Sequence, residues 1–175
     1  LLQESDVPVA ERKRIVQKWY VLSVLTGRYS SSPESAFARD IRQITEQGVP
    51  AMLKAMEDAI LSENFWNVAV PQNLTMTSAK NQYNQDANYA YLDRPVNESI
   101  GKKSPKEYFS LALEQCQTKV AVCGSITDED LLQKNLAMNC IPSDVFKMDQ
   151  NDYIHFLEVR RLLMANKIRK YYESL

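Results

Sequence analysis

Apolar side chains recur along this chain every three or four residues, and strict alternation of apolar and polar positions is nearly absent. That spacing belongs to helices that bury one face. After Pro8, the positions Ile15, Val16, Trp19, Tyr20 and Leu22 predict a first helix that ends near Gly27. Ser32, Pro33 and Glu34 then supply a cap, a residue preset for the first helical turn and a negative charge at the positive end of the helix dipole. A second helix follows, with Phe37, Ile41 and Ile44 on one face, and stops at Gly48. Pro50 opens a third, with Leu53, Met56 and Ile60 inward and its end at Leu61 or Ser62.

From Glu63 to Ser104 the periodicity breaks. The stretch is rich in Asn and punctuated by Pro71 and Pro95, which favours turns and short irregular pieces. Ser104-Pro105-Lys106-Glu107 has the form of a capping box, and a helix through Tyr108, Leu111 and Leu113 to about Val122 follows from it. Thr127 with Asp130 predicts the cap of a shorter helix through Leu131, Leu132 and Leu136, closed by Ile141-Pro142. From Asp149 to Tyr172 an apolar stripe of Tyr153, Phe156, Leu157, Met164, Ile168 and Tyr171 marks the most periodic segment. The expected fold is mainly α, an irregular bundle of about six helices around an interrupted middle. Its expected parts are a helical region 1–62, an irregular region 63–104 and a second helical region 105–175, together one compact domain.

Composition narrows the possible functions. The 175 residues carry 21 Lys plus Arg against 22 Asp plus Glu, for a net charge of −1, with 45% hydrophobic residues. With only 4 Gly and 7 Pro the chain fits neither a linker nor a disordered tail. Its apolar runs are far shorter than the roughly twenty residues of a membrane span, so no membrane is expected. It opens on Leu1 without a leader pattern and is read as a fragment of something longer. Cys116, Cys123 and Cys140 form no close pair, so a disulfide framework and a structural zinc site are both disfavoured and a reducing cytoplasm is expected. The sequence leaves the oligomeric state open. A single His restricts general-base chemistry, which most often falls to imidazole at neutral pH.

Several residues could carry chemistry, each with a plainer alternative. Arg160, Arg161, Lys167, Arg169 and Lys170, and separately Arg12, Lys13, Arg14 and Lys18, could neutralise phosphates. Equally, such cations form a solvated helix face. His155 beside Asp152 reads as structural, and Trp19, Tyr20, Phe65 and Trp66 read as core rather than as base-stacking rings. Gly27-Arg28-Tyr29-Ser30 is either an anion-binding turn or an interhelical loop in which Arg28 pairs locally. The most informative stretch is 88–103. There Asn88 could bridge loop backbone groups, Asn97 could offer its amide oxygen to a hard divalent cation, and Lys102 and Lys103 could reach phosphate. The alternative is that both Asn residues simply form turns.

The order of these pieces resembles the C-terminal half of the GmrSD-type restriction endonucleases. These bacterial defence proteins join an N-terminal ParB-like nucleotide-hydrolysing domain to a C-terminal His-Asn-His nuclease. The matching stretches are Lys18-Trp19-Tyr20, Leu25 to Ser32, Asp40-Ile41, Asn88 to Leu92, Asn97, Ile100 to Lys103, and Pro105 with Tyr108. Asp152-Tyr153, Phe156-Leu157, Arg160-Arg161 and Tyr171-Tyr172 complete the set, which covers nearly all of the chain from Trp19 onward. The resemblance implies a partial ββα-metal element in the middle, with Asn97 as the helix-side ligand of Mg or Mn and Asn88 supporting the hairpin. It implies phosphodiester hydrolysis in the intact family, DNA as partner, a ParB-like domain in cis, and phosphate contacts from Lys102, Lys103, Arg160 and Arg161. It also exposes a departure: the family's catalytic His strand should precede Asn88, yet no His occurs before His155. A stretch of several tens of residues is therefore expected to be missing at about Lys80 to Tyr83, leaving a chain without nuclease activity. The alternative is a helical DNA- or protein-binding module that never cleaves.

Overall fold

The computed structural model describes residues 7–75 and 85–175. The expected gap at Lys80 to Tyr83 lies outside the described residues. The fold is mainly helical, and among the described residues there is no β-strand. The chain divides into two compact units, one of Leu1–Asn73 with Ile168–Leu175 and the other of Leu74–Lys167.

In the first unit α1 (Val9–Leu25) and α2 (Pro33–Gln47) each pack against α3 (Val49–Ile60). All three begin and end within a few residues of the positions that capping and Gly-Pro punctuation predict. The buried face of α2 is rotated from the expected one: Ala36 and Asp40 are buried, while Phe37 and Ile41 are about half exposed. The cause is an ion pair. Asp40 is drawn inward to the guanidinium of Arg28, and Phe37 stacks on Tyr29 with ring centroids 4.2 Å apart.

Beyond α3 a wide π-helical turn (Phe65–Ala69) runs into a short helix, α4 (Val70–Asn73). It buries Phe65, Trp66 and Val70. Asn73 Nδ2 donates to the Leu25 carbonyl, satisfying one of the acceptors that the C-terminus of α1 leaves open. Tyr172, near the chain terminus, lies with its ring centroid 6.0 Å from that of Trp66 and donates its hydroxyl to Glu57, which also accepts from Lys18. Burial alone would raise the Glu57 carboxyl, but the bonds from Lys18 and Tyr172 hold it below its ordinary value.

From Gln85 onward the second unit has a 3-10 turn at Asp86–Asn88, followed by α5 (Arg94–Ile100), α6 (Pro105–Thr118) and α7 (Glu129–Met138). The capping box of Ser104 and Glu107 forms as expected, and Ser104 holds the Glu107 carboxyl below its ordinary value. The cap of α7 is Asp128, whose carboxylate accepts from Leu131 N; the expected cap was Thr127 with Asp130. Leu132 and Leu136 face inward, whereas Leu131 is exposed. α7 stops at Met138, where Cys140 adopts φ 54° and the Ile141 N–H returns to the Leu136 carbonyl. Phe109, Leu136 and Val145 form the core, with Tyr108, Ile141, Phe146 and Phe156 packed against it. The last helix, α8 (Tyr153–Ser174), contributes residues to both units.

α6 ends about four residues earlier than its apolar pattern suggests. Gln115 explains where the chain goes next. Its side chain is buried, its Oε1 accepts from Val122 N and Cys123 N, and its Nε2 donates to the carbonyls of Gly124 and Ile126. One buried amide thus satisfies four backbone groups of a loop that has no ladder of its own. Lys119, with φ 60°, turns the chain into this loop.

Candidate functional site

The residues singled out between Asn88 and Lys103 all lie in the second unit, and the structure sorts them into two sets. The first set surrounds the turn at Asn88. Arg160 on α8 is buried, and its guanidinium donates to the carbonyls of Ala87, at 2.8 Å, Tyr89, at 2.6 Å, and Asn139, at 3.3 Å. Arg161 donates to Gln85 Oε1 at 2.7 Å. Arg160 therefore holds the backbone on both sides of Asn88, which is itself half-buried, while Arg161 holds the Gln85 side chain just before the turn.

That arrangement corrects the expectation for Arg160. Its two terminal nitrogens are committed to carbonyls and its Nε is buried, leaving no donor turned toward a phosphate. Burial lowers the pKa of this guanidinium from its ordinary value, and among the described residues no carboxylate bonds to it. The charge is compensated by carbonyl dipoles instead. Other cations of the same run are engaged too. Lys167 donates to the Met138 carbonyl, and Arg169 forks onto Glu63 while also reaching Glu173.

The second set lies on α5 and the turn after it. Asn97 is exposed, and its carboxamide makes no hydrogen bond among the described residues. On the same helix Arg94 and Glu98 pair at 2.7 Å. Lys102 and Lys103 are exposed; the Lys103 ammonium donates to the Ser99 carbonyl at 2.6 Å and so helps close the C-terminus of α5. Tyr89 to Leu92, expected as a strand or one helical turn, has no regular secondary structure and is largely exposed.

A hard divalent cation asks for several oxygen ligands, at least some of them carboxylates. Among the described residues no group of three or more His, Cys, Asp or Glu could hold a metal ion. Asn97 offers one neutral amide oxygen, and the nearest carboxylate in sequence, Glu98, is occupied by Arg94. The described residues around Asn97 do not fit a Mg or Mn site. His155 is exposed on α8, while the Asp152 carboxylate accepts from Asp149 N, so no His-Asp relay forms.

Arg28 takes the plainer of its two readings. It pairs locally with Asp40, and Tyr29 and Trp19 join the same network: Trp19 Nε1 donates to the Tyr29 hydroxyl at 3.1 Å, and that hydroxyl donates to Asp40 at 2.7 Å. Gln115 was not singled out by sequence reasoning. Its signal was there: it shares a helical face with Phe109, Ala112 and Cys116, where a buried polar residue must find partners. No protein-family model, curated protein or solved structure matches the chain. No helix among the described residues is long and apolar enough to cross a membrane.

Proposed function

We propose that this chain is a DNA-processing fragment, the helical C-terminal part of a GmrSD-type nuclease, and that it does not cleave by itself. The observation carrying this reading is the ordered set of matching stretches from Trp19 to Tyr172, combined with the lack of any His before His155. The positions of the matching residues support it. Trp19, Arg28, Tyr29 and Asp40 belong to the resemblance and meet in one network, and Arg160 and Arg161 grip the turn containing Asn88. These residues bond to one another or to nearby backbone, so the shared pattern speaks for a shared scaffold rather than for a retained reaction centre. Phosphate contact falls to the exposed Lys102 and Lys103.

The test is paired. Supercoiled plasmid incubated with the chain and Mg²⁺ or Mn²⁺ stays intact, while duplex DNA is retained at low salt and released as salt rises. A metal-dependent nick abolished by Asn97→Ala overturns the inactivity, and no retention at low salt overturns the DNA role.

A protein-binding module is the second reading, and one observation favours it. Val9, Val16, Tyr20 and Val24 form an exposed apolar stripe along α1, opposite the side that buries Ile15 and Leu22. A helix apolar on two sides has a face that its own unit does not use. Val16→Glu with Tyr20→Glu leaving the melting temperature unchanged, in a chain that never binds DNA, decides for this reading.

A further inference from the structure

The second unit contains a cavity of about 560 Å³ that the proposed DNA role does not use. One wall is the segment Ala90 to Asp93 with Val96 and Ile100 of α5; another is α6 at Tyr108, Phe109 and Ala112. The loop from Cys123 to Ile126 and the inner side of α7 close it. Gln115 builds the loop wall, since its four hydrogen bonds fix the backbone from Val122 to Ile126. Gly124 is essential to the fit, because at its φ of 78° an added Cβ would come within 3.3 Å of Val96. A volume of this size, walled mostly by apolar side chains with a few polar groups, is characteristic of small-molecule sites.

The polar groups define what can enter. Among the described residues lining the cavity there is no Lys, Arg, His or Glu, and Asp93 is the sole carboxylate. The charge of buried Arg160 acts on Tyr108, but its terminal nitrogens are bonded to backbone carbonyls, so an entering anion would lose hydration, find no Lys or Arg donor among the described lining residues and meet Asp93. Phosphates are thereby disfavoured. Tyr108 supplies the directional group. Its hydroxyl makes no hydrogen bond among the described residues, and burial pushes its pKa up to about 12, so it stays a neutral donor at any physiological pH.

We propose that this cavity binds an uncharged, largely apolar molecule that presents one hydrogen-bond acceptor, such as a ketone oxygen, to the Tyr108 hydroxyl. Lys102 and Lys103 are not among its lining residues.

Prodan, a neutral naphthalene ketone whose emission shifts blue in apolar surroundings, tests this directly on the full 175-residue chain. Saturable one-to-one binding with a blue shift is expected. Anilinonaphthalene sulfonate, an aromatic of similar size that carries a negative charge, binds at least about tenfold more weakly. Tyr108→Phe weakens Prodan binding by roughly fivefold to tenfold, the effect of one hydrogen bond. Ala112→Phe, which fills the cavity from α6, abolishes it with unchanged far-ultraviolet circular dichroism. Should that variant fail to fold, alkylation of the wild-type chain decides. Cys123 is the half-exposed cysteine and lines the cavity, whereas Cys116 and Cys140 are buried, so Prodan slows the reaction of N-ethylmaleimide at Cys123. No Prodan binding, equal or tighter binding of the sulfonate, or alkylation of Cys123 indifferent to saturating Prodan overturns the proposal.

Discussion

Arg28 and Asp40 form a two-pronged ion pair: Nε donates to one carboxylate oxygen at 2.7 Å and Nη2 to the other at 2.5 Å. Asp40 is 2% exposed, and the pair ties the loop after α1 to the middle of α2. Tyr29 adds a third hydrogen bond to the same carboxylate, and Trp19 orients Tyr29. Burial by itself would raise the Asp40 carboxyl, but the bonds from Arg28 and Tyr29, with the guanidinium charge, hold it below its ordinary value of 3.8.

Because the folded value is the lower one, this carboxylate stabilises the fold fully above about pH 4, and the contribution is lost as pH falls through the folded value. Asp40→Asn is therefore expected to cost about 3 kcal/mol at pH 7, since Arg28 keeps its charge without a counter-ion. The cost disappears in strong acid. Urea unfolding of both proteins from pH 7 to pH 2 checks the convergence, and a constant difference across that range would contradict the linkage.

Gln115 makes a different prediction because it is neutral. Gln115→Leu preserves volume but leaves two N–H groups and two carbonyls of the 122–126 loop without their partner. The half-exposed loop recovers part of this from water, and a loss of about 3 kcal/mol is expected. Hydrogen exchange gives the specific signature: the amides of Val122 and Cys123 lose protection, while the core amides of α6 retain it relative to global stability.

Two kinds of basic residue separate under salt. If Lys102 and Lys103 contact phosphate, Lys102→Gln with Lys103→Gln reduces the slope of log affinity against log salt by about 2 on duplex DNA. Arg160→Met leaves that slope unchanged and lowers stability by about 2 kcal/mol, because the carbonyls of Ala87 and Tyr89 lose a buried donor. A slope change in Arg160→Met would place that guanidinium on DNA after all.

Gly124→Ala tests the loop from its backbone. A residue with a Cβ at φ 78° is strained, and here that Cβ also crowds Val96, so a loss of about 1 to 2 kcal/mol is expected. Thermal melting measures it.

Much of the helical outline is legible in local chemistry. Pro33 at the first turn of α2, Gly48 before Pro50, and Ser104 with Glu107 act within a turn of the helix ends they set, so they work the same way wherever the helix later packs, whereas Ser32 stands at the cap position of α2 without a side-chain cap hydrogen bond. Where expectation and structure part, a distant partner is the reason. Phe37 and Ile41 have the spacing of an inward face, yet α2 turns Asp40 inward because Arg28 stands twelve residues earlier. The cluster from Arg160 to Lys170 has the composition of a phosphate-binding face, yet Arg160 meets a turn seventy-three residues away.

The chain by itself determined most boundaries of its longer helices to within a few residues, and that a single His limits its chemistry. Capping, turn formation and titration depend on residue type and near neighbours, so they can be read along a line. Only the tertiary structure decided that Arg160 is a backbone clasp, that Asn97 stands without a ligand cluster, and that Gln115 shapes a cavity lined with Tyr108. Burial and hydrogen-bond completion depend on which distant groups arrive at the same place, and side-chain type alone does not encode that meeting.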